Sequence, residues 1–139
     1  MFCMEPAAES DAERWLFLDR HISEEELRLK IRCRRCYFLQ NDKTQVGIFR
    51  YGMFWDSIPF LNLIYLEESS RGKGFGTQAM RRWEEKMREQ RFPAVMTSTQ
   101  SDESAQNFYR KLGYRDAGCL VLDVPALRQP LEIFLVKEL

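Results

Sequence analysis

The stretch S-S-R-G-K-G-F-G-T-Q-A-M, Ser69 to Met80, sets Gly72, Gly74 and Gly76 at alternating positions just after Arg71 and around Lys73. Glycine loses more backbone freedom on folding than any other residue, so three this close together need a physical reason. One reason is close approach by a ligand that side chains would block, most often an anionic phosphate at a helix start. The other is a strand-to-helix turn that binds nothing.

Outward from this stretch, Phe60–Glu67 reads as a strand leading in, and about Thr77 to Arg91 as a helix leading out. Ala79, Met80, Trp83 and Met87 share one face of that helix at a 3.6-residue period. Ala94–Thr99 reads as a strand. Asp102 or Ser101 is expected to cap a further helix with Ala105, Phe108, Tyr109 and Leu112 on its apolar face and Gly113 at its end. Tyr114–Val124 and Leu131–Leu139 read as the final strands.

Upstream, Glu9–Ile22 carries Trp15, Leu18 and Ile22 at helical spacing. Ser23 to Glu26 is a capping box that opens a second helix, burying Leu27 and Ile31. Tyr37–Gln40 and Gln45–Tyr51 flank an N-D-K-T turn and predict a hairpin, followed by an aromatic-rich loop over residues 52–59. Only Phe2–Met4 precedes the first helix as strand material. The order predicts a single domain over residues 1–139, with a mixed sheet and helices on its faces.

Lys plus Arg and Asp plus Glu number 21 each, so the basic excess expected of a nucleic-acid binder is missing. No apolar run approaches the length that crosses a bilayer, and no signal peptide is read at the start, so a cytoplasmic protein is expected. Cys33 and Cys36 form one C-x-x-C, but two further zinc ligands are lacking and His21 is the sole histidine. No metal is expected. The four thiols, Cys3, Cys33, Cys36 and Cys119, are expected to be reduced and mostly buried.

The glycine stretch fails the familiar nucleotide templates. Lys73 is followed by Gly74, where a Walker A loop needs Ser or Thr. Thr77 stands where the dinucleotide and kinase loops need their third glycine. Arg71-Gly-Lys-Gly74-Phe-Gly76 instead resembles the [RQ]-x-x-G-x-[GA] motif of the GCN5-related N-acetyltransferase (GNAT) superfamily. The run from Leu63 to Ser70 resembles that family's fourth strand. Asp102 to Tyr114 resembles its N-x-x-A-x-x-F-Y-x-x-x-G-F segment, and Ile133–Leu139 its last strand.

The resemblance implies an α/β (α+β) fold, with a mixed central sheet of about six to seven strands flanked by helices on both faces. It implies direct acetyl transfer from acetyl-CoA to a primary amine, on a small molecule or a protein. Coenzyme contacts then fall on Leu66, Arg71, Gly72, Lys73, Gly74, Phe75, Gly76, Thr77 and Asn107. Tyr109 matches the family's general-acid tyrosine; a core tyrosine beside Phe108 is the plainer alternative. The Glu that ribosomal-protein alanine acetyltransferases carry on the fifth strand is replaced by Thr97, so that base is not carried over. Glu67 is the candidate base, with Glu68 and Asp56 as alternatives acting through water. Asp102 replaces the family's usual Asn, which argues against a phosphate contact there. Glu24 to Glu26 and Asp56 are expected on the acceptor side, where they would attract a cationic amine; helix-dipole compensation is the alternative for the three glutamates. A non-catalytic acyl-CoA-binding module with the same fold is the competing function. Homodimerisation is left open; no nucleic acid or membrane is expected as a partner.

Overall fold

The computed structural model describes residues 1–139. Seven strands and four helices follow in the order β1 (Phe2–Pro6), α1 (Ala12–Leu18), α2 (Glu24–Arg32), β2 (Cys36–Asn41), β3 (Thr44–Phe54), β4 (Ile58–Leu66), α3 (Phe75–Glu89), β5 (Ala94–Gln100), α4 (Ala105–Lys111), β6 (Arg115–Leu120) and β7 (Glu132–Glu138). The sheet order is β1-β2-β3-β4-β5-β7-β6, with β4 and β5 parallel at Phe60↔Met96 and Leu61↔Thr97. The ladders β1/β2, β2/β3, β5/β7 and β6/β7 are antiparallel. The mixed α+β sheet expected from the sequence is therefore present, and the short N-terminal segment is a true strand. No helix is long and apolar enough to cross a membrane.

The chain divides into two compact units, Met1–Gly52 with Asn62–Arg82, and Met53–Leu61 with Trp83–Leu139. In the first, α1 and α2 cover one sheet face around Trp15, Leu27, Ile31, Cys36, Phe38 and Ile48. On the other face Phe75 of α3 stacks on Phe2, with centroids 5.9 Å apart, and Ala79 and Met80 are fully buried. Ser23 caps α2 as expected, its Oγ accepting the Glu26 N–H at 3.2 Å.

Buried inside this unit, Arg50 Nε donates to Asp19 Oδ2 at 2.7 Å, and Trp15 Nε1 donates to the same oxygen at 3.0 Å. Burial pushes the Asp19 carboxyl up, but the bonds from Arg50, Trp15 and the His21 N–H outweigh it and hold it below the ordinary value. This arrangement ends α1 at Leu18, short of the Ile22 read from periodicity. Asp19 takes an extended backbone and spends its carboxylate on Arg50 and the His21 N–H, so local bonding displaces the helix.

The β2–β3 turn forms where expected, with Asp42 and Lys43 both at positive φ, as two-residue hairpins require. The aromatic loop expected over residues 52–59 is instead a second tight turn. β3 continues to Phe54, β4 begins at Ile58, and Trp55 and Asp56 take left-handed φ of 53° and 60°. β-Favouring side chains carry both strands further than the loop reading allowed. In the second unit Phe54, Phe60 and Phe134 pack as a ring cluster, with centroids about 6 Å apart.

Also in the second unit, Trp83, Met87, Val95 and Leu135 are buried. Buried Glu84 accepts from Tyr114 Oη and from Lys137 Nζ, each at 2.7 Å. Neither Asp102 nor Ser101 caps α4. Ser104 occupies that position without a side-chain bond, because Gln106 Nε2 donates to the Ser101 and Glu103 carbonyls and holds the lead-in as a turn. β6 is shorter than Tyr114–Val124; its register slips between Asp116 and Gly118, and all six of its residues are exposed.

Helices α2, α3 and α4 end alike. The pairs Arg34→Ile31 and Arg35→Lys30, Arg91→Arg88 and Phe92→Met87, and Gly113→Arg110 and Tyr114→Tyr109 are N–H to C=O bonds in the Schellman pattern. Its left-handed residue is Arg34, Arg91 and Gly113 respectively. All four cysteines are free, but only Cys36 is buried; Cys33 and Cys119 are exposed. The expectation of mostly buried thiols fails because Cys33 falls at the α2 C-cap and Cys119 on the uncovered strand β6.

Candidate active site

The glycine stretch leaves β4 through a short 3-10 turn, Glu68–Ser70, and enters α3 at Phe75, two residues earlier than read from the sequence. Gly72 and Gly74 lie at φ 73° and 84°, where a side chain is strained, and a Cβ on either would meet nothing within 4 Å. Their glycine identity therefore serves the left-handed turn and an open surface, not packing within the protein. None of the six backbone N–H groups from Gly72 to Thr77 makes a well-formed hydrogen bond within the chain.

The first turn of α3 holds no acidic residue, whereas α2 opens with Glu24, Glu25 and Glu26. One helix start is neutralised by its own carboxylates; the other keeps its positive end bare. Arg71 and Lys73 are exposed beside it, and Arg71 Nε donates to the Leu66 carbonyl at 3.0 Å. A row of free N–H donors, a bare helix start and two cations form an anion cradle, which fits the diphosphate of a coenzyme.

In the second unit, Tyr109 of α4 is 6% exposed, with the Thr97 side chain of β5 beside its hydroxyl. Thr97 Oγ1 in turn donates to the Leu61 carbonyl at 3.2 Å. Burial pushes the phenol up to about 12, against the opposing pull of the neighbouring Thr97 hydroxyl, so it stays protonated at neutral pH.

The sequence matches the acetyltransferase (GNAT) family profile over residues 3–114, from the first strand past the end of α4. The chain belongs to the GNAT family. No curated protein sequence matches it. Among solved structures, Ard1 from Thermoplasma volcanium aligns with a TM-score of 0.81 at 16% identity, covering 99% of this chain and 97% of its own. The ribosomal-protein-S18-alanine N-acetyltransferase of Escherichia coli gives 0.81 at 13% identity, covering 99% and 94%. An enzyme assigned as a streptothricin acetyltransferase from Bacillus anthracis, in complex with acetyl coenzyme A, gives 0.67 at 18% identity, covering 75% and 61%. At these identities the likeness is one of fold.

Within this GNAT chain, Leu66, Glu67 and the stretch Arg71–Thr77 fall in the first unit, and Asp56, Asn107 and Tyr109 in the second. Half-buried Glu67 accepts from Gln45 Nε2 at 3.4 Å. Gln45 also lines a cavity of about 540 Å³ with Ser10, Glu13, Arg14, Phe17 and Leu18. Glu68 and Asp56 are exposed, Asp56 at the tip of the β3–β4 turn. Asn107 is exposed on α4.

Two features escaped the sequence. Thr97, noted only as the residue standing in place of a base, is the polar neighbour of the buried Tyr109 and bonds to the Leu61 carbonyl. Lys30 of α2 reaches across to Asn62 of β4, donating to its Oδ1 at 3.1 Å. A polar residue in the middle of an otherwise apolar strand was the signal available for the second.

Proposed function

We propose that this GNAT chain is an acetyl-CoA-dependent N-acetyltransferase acting as one domain, passing an acetyl group directly to a primary amine of a small molecule or protein. The observation that carries this reading is the run of unbonded N–H groups from Gly72 to Thr77, with open space at Gly72 and Gly74, at an acid-free helix start. Leu66, Arg71 to Thr77 and Asn107 would hold the coenzyme, which supplies the activated acyl group when bound. The acetyl coenzyme A held by the Bacillus anthracis relative supports the assignment.

The nucleophile must be a neutral amine, so a proton leaves it and another reaches the departing sulfur. Tyr109, kept protonated by burial, is assigned to donate the second, and Glu67, through water, to accept the first. One observation favours the competing reading of a coenzyme-binding module without turnover. Tyr109 lies inside the protein, 6% exposed, and not at an open surface.

The two readings separate in one experiment. Acetyl-CoA at about 100 times its dissociation constant should stabilise the protein by roughly 2.7 kcal/mol, with ATP and NAD doing far less. A panel of amines with thiol-release detection then reports turnover. Stabilisation without thiol release on any amine favours the binding module. ATP or NAD matching acetyl-CoA refutes the coenzyme assignment.

A further inference from the structure

The strand at the centre of the sheet, β4, is poorly covered along its second half. Asn62 is exposed and Leu63 to Glu67 are only half-buried, while β3 buries seven residues in a row from Val46 to Gly52. Asn62 holds the half-buried ammonium of Lys30, which also donates to the Tyr51 carbonyl at 3.0 Å. Gly52 makes this possible, because a Cβ there would lie 2.8 Å from Lys30 Nζ and 2.9 Å from Asn62 Oδ1.

Lys30 has no carboxylate within ion-pair distance; its two bonds go to uncharged oxygens. Arg50, the charge that weighs most on it, is already committed to Asp19. Burial first, and then the charge of Arg50, hold Lys30 below the ordinary lysine value, the sign expected of a cation without its anion.

A lysine ammonium has three donors and a side-chain amide has one acceptor oxygen and two N–H donors. Here the amide oxygen faces Lys30, so its NH₂ is free. With Tyr51 and Asn62 taking two of the ammonium protons, one N–H of Lys30 and two of Asn62 are left over beside a positive charge. Such a surplus of donors beside a positive charge fits an anion. From Asn62 the strand runs into Leu66, roughly 13 Å further at about 3.3 Å per residue, and on to the coenzyme loop.

We propose that Lys30 and Asn62 recognise an anionic group, carboxylate or phosphate, carried by the amine that accepts the acetyl group. The inference rests on the acyltransferase reading and narrows its substrate class. It reverses the expectation of a cationic acceptor drawn from Glu24 to Glu26 and Asp56; the three glutamates instead compensate the α2 dipole.

The test compares amino acids, phosphoethanolamine and anion-free diamines as acceptors, by thiol release at saturating acetyl-CoA. Anion-bearing amines should lead in kcat/KM by at least about tenfold, and the first two arms tell carboxylate from phosphate. Asn62→Asp is the decisive variant. An aspartate keeps the bond to Lys30, so Tm should hold or rise, yet it turns donors into a negative charge. Its kcat/KM for anion-bearing amines should fall about tenfold to a hundredfold, as should that of Lys30→Met, with the acetyl-CoA thermal shift retained. If Asn62→Asp leaves those values within twofold, or diamines are the better substrates, the pair merely pins α2 to the sheet and the proposal falls. Absence of any acetyl-CoA shift in the wild type removes the acyltransferase reading and this inference with it.

Discussion

Gly74 and Tyr109 pose opposite questions at the scale of single residues. At Gly74 a side chain meets no protein atom, yet the backbone is left-handed. Gly74→Val should therefore melt somewhat earlier, by about 1–2 kcal/mol of backbone strain, and lose the acetyl-CoA thermal shift. Retention of the shift would mean that the loop does not approach its ligand there. Tyr109 is the reverse case, a buried side chain whose ring packs against Phe108 and Tyr114. Tyr109→Phe keeps the packed ring, so stability should change by less than about 1 kcal/mol. If the phenol is the acid, kcat should fall ~10²–10⁴ while KM for acetyl-CoA moves far less. Turnover within a few-fold of wild type would assign the hydroxyl to packing and leave the proton to water.

Among the elements, α1 depends most on one buried contact. Asp19→Ala would leave Arg50 buried and unpaired, and should cost about 3–5 kcal/mol in urea unfolding. A loss near zero would show that Arg50 escapes to water. This contact also explains what could and could not be read ahead of the structure. The glycine turn, the α2 cap, the apolar face of α3 and the first hairpin were readable because their signals are local: spacing, a capping serine, a turn sequence. The end of α1 was not, because its cause lies thirty-one residues away in Arg50. Lys30 and Asn62, thirty-two residues apart, escaped for the same reason. The second hairpin was missed because Trp55 and Asp56 adopt left-handed angles without a glycine to announce them. In the candidate site, residue types and loop position were readable, whereas the burial of Tyr109 and Thr97 was a product of packing.

For the molecule as a whole, the buried acids predict its alkaline limit. Burial raises Tyr51, Tyr109 and Cys36 to about 12 and Tyr114 further still. Each folded value lies above its unfolded one, so these groups support the fold fully at neutral pH. That support is lost as pH climbs from about 9 for the thiol, and about 10 for the phenols, toward 12. Melting curves from pH 7 to 11, read with tyrosinate absorbance, should show Tm falling before these tyrosines ionise. A Tm flat to pH 11 would mean the phenols titrate freely.

The arginines at the ends of α2 and α3 bear on how much damage the protein can absorb. Where α4 ends on glycine, these two helices hold a branched-free but bulky residue in the same left-handed position. Arg34→Gly and Arg91→Gly should each raise stability by roughly 1 kcal/mol, readable as a shift in urea midpoint. Neither position belongs to the loop, to Tyr109 or to Lys30. A chain carrying both would have mutational headroom, a reserve against the threshold below which variants unfold. In that sturdier background a dead enzyme would report lost chemistry and not a lost fold.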